Sequence, residues 1–234
     1  MVRVAAAQRL HAVAAAGTRV FGRLGYRRTH MADVAAEAGL SSGAIYTYVE
    51  SKDALFHLVF AWAFDEVDGD AADLPLPTPS PDETLALIAR GLGRTARTPR
   101  MRDALSSPVP DDVAAEVRGI IEERYEMVAR LWPILAVIEA SAIDVPGLDE
   151  LYFQRGRRGQ LNQLARYLAD RASAGALRPI ADAEITARVV TESIAWFAWH
   201  RRDSRDAAGF DEDVTRATVV QFCCDGLVEP EPRP

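Results

Sequence analysis

The sequence predicts an all-α chain, and three observations carry that prediction. Apolar residues recur at three- and four-residue spacing along most of the 234 residues, no segment alternates with period two, and prolines and glycines gather between the periodic stretches. With 49% hydrophobic and 26% charged residues the chain belongs to the ordinary globular class, large enough to bury a core without metals or disulfides.

The first helix is predicted from Leu10, Val13, Gly17, Phe21 and Leu24, and Gly25 stands where a helix end needs positive φ. Met31, Val34, Ala35 and Ala38 form a second, two-turn stripe that Gly39 stops. Ser41 can cap a third helix over 42–48, and Ser51 a fourth that opens with Lys52 and Asp53. Pro75, Pro77, Pro79 and Pro81 exclude helix from Leu74 to Pro81 and mark a boundary. That boundary ends in a capping box, Ser80-Pro81-Asp82-Glu83. Later helices are predicted at about 83–97, 100–106, 111–143 with a break or kink at Pro133, 147–173, 182–202 and 211–228. The division expected is 1–52 as a first domain, 53–81 as connecting helix and proline-rich linker, and 82–229 as a larger helical body.

Charge is uneven along the chain. The net value is −7, yet residues 1–60 carry seven positive charges (Arg3, Arg9, Arg19, Arg23, Arg27, Arg28, Lys52) against four negative (Asp33, Glu37, Glu50, Asp53), or +3. The rest carries twenty against thirty, or −10. A basic end on an acidic body suits a DNA reader joined to a separate regulatory part. A short helix, a turn at Gly39 and a second short helix form a helix-turn-helix, whose second helix can enter the major groove. At 100° per residue Ile45 and Val49 point inward, leaving Gly43, Ala44 and Thr47 facing outward with Tyr46 and Tyr48 at the rims. Thr47 can bond a base edge, Ala44 can meet a thymine methyl, and the tyrosines can reach phosphates. Thr29 with His30, and Ser51 with Lys52, open helices whose free N–H groups favour phosphate, and Lys52 is the first candidate for a charged anchor.

These residues resemble a known family. Gly25-Tyr26, Thr29, Val34-Ala35, Ala38-Gly39-Leu40-Ser41, Ile45-Tyr46-Thr47-Tyr48 and Ser51-Lys52-Asp53-Ala54-Leu55 look like the N-terminal signature of TetR-family transcriptional regulators, matched over about residues 8–60. The resemblance implies a three-helix DNA-binding domain and a larger helical ligand-binding and dimerisation domain. It also implies a homodimer through the last two helices, and a pseudo-palindromic operator from which a small ligand releases a repressor; the effector expected here is largely apolar. Matching positions carry DNA contacts to Thr29, His30, Ser42, Gly43, Ala44, Tyr46, Thr47, Tyr48 and Lys52. Three departures stand out: His30 where Ser or Thr commonly caps, Val49 for a usual phenylalanine, and Glu50 near the expected phosphates.

For the dimer, Ile185, Val189, Trp196 and Trp199 give one apolar stripe, and Val214, Ala217, Val220, Cys224 and Leu227 or Val228 another. These stripes fill either an interface or each subunit's own core. For the ligand, Glu139 shares a greasy helical stripe with Val128, Trp132, Leu135 and Ala142. A carboxylate there is either paired internally, with Arg155 or Arg188, or faces a pocket with Tyr125 and Trp132 and recognises a cationic or hydrogen-bonding apolar effector. Arg155 and His200 complete the ligand-site candidates.

Cys223 and Cys224 are adjacent, which suits neither a disulfide nor paired metal ligation, and predicts a reducing, cytoplasmic setting. None of the four histidines forms an HxxxH pair, so no metal or cofactor is expected. Gln8, Arg9 and His11 interrupt the alanine-rich start, and the longest charge-free apolar run, between Asp53 and Asp65, is far short of the roughly 20 residues that span a bilayer. No nucleophile elbow, P-loop or dinucleotide fingerprint points to an enzyme. The competing reading is a helical small-molecule-binding protein that reads no DNA sequence.

Overall fold

The computed structural model describes residues 2–67, 74–207 and 209–228, with side chains from Gln8 onward. Residues 68–73 of the expected linker, and the expected end of the body at 229, lie outside the described residues. The helices are α1 (Val2–Arg28), α2 (Met31–Glu37), α3 (Lys52–Ala63), α4 (Pro81–Thr95), α5 (Pro99–Ser106), α6 (Val113–Ser141), α7 (Arg158–Ser173), α8 (Ala183–Ala198) and α9 (Glu212–Leu227). Among the described residues there is no strand, only an isolated bridge between Val49 and Leu76. The all-α expectation holds.

Two compact units divide the chain. One holds residues 1–95 and 133–153, the other residues 96–132 and 154–234. In the first, α1 packs on α3 where Gly17 lets the Leu55 and Val59 side chains approach closely. Phe21, Phe56 and Phe60 stack edge to face behind that contact at centroid distances of 5.1 and 5.0 Å. Gly25 breaks α1 at φ 76°, and a Cβ there would stand 2.2 Å from the Ala140 carbonyl oxygen. Only glycine accepts both that dihedral and that proximity, so the helix ends at the cap the sequence indicates. Ser80 and Glu83 cap α4 reciprocally: the Ser80 N–H and hydroxyl donate to Glu83 Oε2 at 2.7 and 2.9 Å, and the Glu83 N–H donates to Ser80 Oγ at 3.3 Å.

The second unit has its own core, to which Ile120 and Ile121 of α6, Leu164 and Leu168 of α7, Val190 and Ile194 of α8, and Val220 and Cys223 of α9 contribute. Asp182 and Asp211 cap α8 and α9 by accepting from Ile185 N–H and Val214 N–H. Both cysteines are free and buried, and burial pushes the Cys223 thiol up to about 11.

Of the break or kink expected at Pro133, the break is absent, and α6 runs through that residue as one helix. Two expectations need correction. The segment expected as one helix over 147–173 begins instead as π-helix from Glu150 to Arg157 before α7, where Gly156 and Gly159 weaken the α-helical ladder. The helix expected over 182–202 ends at Ala198, with Trp199 at φ −132° and ψ −73°, and a 3-10 turn continues the chain over His200–Asp203.

Candidate nucleic-acid interface

The interface is built on the end of α2. Asp33 accepts from the His30 N–H at 3.0 Å, fixing the start of α2. Arg19 Nε meets Glu37 Oε1 at 2.6 Å, joining α2 to α1. Gly39, at φ 69°, turns the chain after α2, and Leu40 N–H donates to Ala35 O at 2.8 Å. Ser41 Oγ then accepts from Ala44 N–H at 3.3 Å, as its position predicts.

Beyond Ser41 the chain forms a 3-10 turn, Ala44–Thr47, rather than the helix over 42–48 that the sequence suggests. The local composition explains the shortening: Gly43, β-branched Ile45, Thr47 and Val49, and two tyrosines all rank low as helix formers. The backbone is then drawn into the bridge beyond it, where Leu76 N–H donates to Tyr48 O at 2.8 Å and Glu50 N–H to Leu76 O at 3.0 Å. Ile45 and Val49 are fully buried, as the helical projection requires. Ser42, Gly43 and Thr47 are exposed, Tyr46 is 48% exposed, and Ala44 and Tyr48 are half-buried. Thr47 donates its hydroxyl hydrogen to Ala44 O at 2.7 Å, leaving oxygen lone pairs as acceptors.

The remaining candidates brace this turn. Thr29 is buried with its hydroxyl on Gly25 O at 2.7 Å, and His30 is exposed at the N-cap of α2. Lys52 Nζ donates to Tyr26 O at 3.1 Å and Thr29 O at 3.3 Å, and lies 4.4 Å from the Tyr26 ring centroid. Among the described residues these two bonds leave one of its three N–H donors open. Ser51 caps α3 through Ala54 N–H, as expected. The sequence marks only a boundary at 74–81; the structure ties it to the turn. Thr78 N–H donates to Glu50 Oε2 at 3.0 Å, and the Ser51 and Thr78 hydroxyls lie 2.7 Å apart. Glu50 thus has a donor of its own. The Tyr26 hydroxyl bonds Asp53, and burial together with that carboxylate holds its pKa far above the usual range.

Residues 13–59, which run from within α1 through the turn into α3, match the family model for bacterial regulatory proteins of the TetR family, and residues 129–221 match the C-terminal domain of AefR-like transcriptional repressors. This chain is a TetR-family transcriptional regulator. Solved regulators share its fold. The ketosteroid regulator KstR2 of Mycobacterium tuberculosis aligns at TM-score 0.59 and 15% identity, over 95% of this chain and 96% of its own. PfmR of Thermus thermophilus aligns at 0.53 and 19%, over 92% and 97%. AibR, solved with isovaleryl coenzyme A and operator DNA, aligns at 0.52 and 14%, over 92% and 97%. No curated protein matches in sequence. Among the described residues, no helix is long and apolar enough to cross a membrane.

The regulator's ligand-site candidates fall in different places. In the second unit, buried Tyr125 donates to Glu212 Oε1 at 3.2 Å. Glu212 also takes a bond from Arg201 and one from Arg202 at 2.9 Å, and the Arg202 guanidinium lies 5.6 Å from the Trp132 ring centroid. Tyr125 and Trp132 therefore share one polar cluster. His200 is exposed and stacks on Trp199 at 4.1 Å, and Arg155 is exposed on the π-helical segment. Glu139 belongs to the first unit and is exposed, so the desolvated acid expected from its stripe is absent. Ile134, Val137 and Ile138 are the most deeply buried apolar residues of that segment; Leu135 and Ala142 of the expected stripe are buried too, but Glu139 lies at its exposed margin. A residue that pattern reading passes over fills the role instead. Arg124 sits on the apolar stripe of α6 between Ile120, Ile121 and Leu131, and burial pushes its pKa down to about 10.

Proposed function

We propose that this regulator is a ligand-responsive repressor that binds a pseudo-palindromic operator as a homodimer and leaves it when a small, largely apolar effector binds. The observation that carries the reading is the exposed surface Ser42–Tyr48 resting on a fully buried Ile45 and Val49. Ser42, Gly43, Ala44 and Thr47 are the proposed base readers. Tyr46, Tyr48 and His30 are placed at phosphates, and Thr29 and Lys52 set the position of the turn, with the open Lys52 N–H available to a phosphate. With no cation on the turn itself, discrimination rests on contact shape as well as on hydrogen bonds. In this reading 1–52 is the reading head, 53–81 the connector and 82–229 the body that takes the effector.

Dimerisation through α8 and α9 is supported by what those helices leave uncovered. Ile185 is 66% exposed, and Val189 and Trp196 continue along one face of α8; Val214 is 65% and Phe222 72% exposed on α9. A groove of about 290 Å³ lined by Phe197, Phe210, Val214 and Thr218 continues that surface. A contiguous apolar face of this kind marks an interface, and a two-fold axis lets one face cover its own copy while setting two reading heads about one DNA turn apart. Within the expected stripes, Val220, Cys224, Leu227 and Trp199 are instead buried in the subunit's own core. Phe222 lies off the predicted α9 stripe, and its exposure is visible only in the fold. The cytoplasm, where DNA and diffusible metabolites meet, is the proposed compartment.

Selection from a random duplex library at near-physiological salt tests the proposal. An enriched inverted repeat is expected. Retention without enrichment, falling as salt rises, would reduce the protein to a non-specific or ligand-binding one.

A further inference from the structure

Arg124 is 3% exposed, on the apolar stripe of α6 formed by Val117, Ile120, Ile121 and Leu131. Its guanidinium has five donors, yet among the described residues it makes a long bond from Nη2 to Gln160 O at 3.4 Å, and Nη1 has no partner there. The charge that acts on it is that of its neighbour Glu123. Of that carboxylate, Oε1 accepts from Arg100 N–H at 3.1 Å, and Oε2 is buried with no hydrogen bond to Arg124 or to any other group among the described residues. By contrast, the other deeply buried arginines in this unit are well satisfied: Arg171 by Glu116 and Ala104 O, Arg201 by Glu212 and Phe197 O. An isolated buried cation is unfavourable enough that proteins pair it or neutralise it. Of these three arginines, Arg124 is left for a group the chain does not supply.

We propose that Arg124 is the anion-recognition residue of the effector site, and that the effector carries a carboxylate or a phosphate on an apolar body. The apolar body is inferred from the buried isoleucines and leucine that share the α6 stripe with Arg124, and the anion from its unpartnered Nη1 beside a weakly bonded Nη2, an edge that suits bidentate binding of either group. This assignment rests on the ligand-responsive reading above and narrows the effector class within it.

The test uses the full chain and four probes of one chain length at equal, sub-micellar concentration: decanoate, decyl phosphate, decanol and decylamine. Binding is read by calorimetry, and apo stability by thermal unfolding. The wild type is expected to bind decanoate or decyl phosphate at least tenfold more tightly than decanol and decylamine, and the better of the two names the headgroup. Arg124→Met should erase that preference while leaving the apo melting temperature unchanged or higher, and Arg124→Lys should keep part of it. The assignment is overturned if no anionic probe is preferred by the wild type, if Arg124→Met keeps the preference, or if Arg124→Met and Glu123→Gln both lower the apo melting temperature by several degrees. The last result would make Glu123 the partner in a structural pair. Because no arm depends on DNA, a failed operator selection with the anion preference intact would remove the repressor reading and leave the site standing.

Discussion

Replacing Lys52 with methionine separates a brace from a phosphate anchor. The side-chain stem keeps its packing, and what is lost is the ammonium, with bonds to Tyr26 O at 3.1 Å and Thr29 O at 3.3 Å and the Tyr26 ring at 4.4 Å. Hydrogen bonds from a charged group contribute about 1.5–3 kcal/mol when buried. Lys52 is only half-buried and one bond is long, so the lower end applies and is further reduced by solvent. A cation–π contact at such a site adds about 0.5–1 kcal/mol. Together these predict a loss of about 2–3 kcal/mol, or a fall of about 4–12 °C in the melting temperature for a chain of this size. The assay is thermal unfolding by circular dichroism, beside operator binding across a salt series. Lys52→Met should also weaken binding to every sequence alike, because the carbonyls it holds lie next to the start of α2. An unchanged melting temperature with the salt slope reduced by about one unit would refute the brace and make Lys52 a phosphate contact alone.

The same geometry fixes three further outcomes. A Cβ on Gly91 would stand 2.0 Å from the Phe64 ring, which is itself buried, so Gly91→Ala should destabilise by about 1–3 kcal/mol despite the better helix propensity of alanine, as read by urea unfolding. Arg171→Met removes the charge partner of the Glu116 carboxylate, which keeps the Tyr167 hydroxyl as a donor, and should cost about 3–5 kcal/mol in the same assay. His57, with Nδ1 3.0 Å from Thr84 Oγ1, has its pKa lowered mainly by burial. The unfolded chain then takes up the proton first, so this stability is full above about pH 6.5 and is lost progressively as pH falls from there through the folded value; His57→Gln should flatten the decline between about pH 7 and 5, as read by urea unfolding at each pH.

The capped helix ends are readable from sequence because they rest on local chemistry. Gly25, Ser51, Ser80 with Glu83, Asp182 and Asp211 act within a few residues, and each does in the structure what its type and position imply. The features that escape prediction depend on distant chain. The bridge from Leu76 to Tyr48 and Glu50 holds the chain just after the 3-10 turn, and although the weak helix formers within 42–48 account for the shortening, no pattern there reveals that partner. Glu139 and Arg124 make the same point from the other side. Both are charges set among apolar residues, but helical spacing states only that a residue lies near a stripe; which side of it faces neighbours is decided by the packing partner. At Glu139 that margin is exposed, while Arg124 is enclosed.

Whether the Ser42–Tyr48 surface reads sequence is settled most directly by duplex selection run in parallel on the wild type and on Thr47→Ala. Thr47 is exposed, its hydroxyl bonds within its own turn, and its removal leaves Ile45 and Val49 in place. An inverted repeat is predicted from both proteins, with the preference at one position in each half-site relaxed in the variant. An identical consensus and affinity from both, or no consensus from the wild type, would contradict a reading role for this surface.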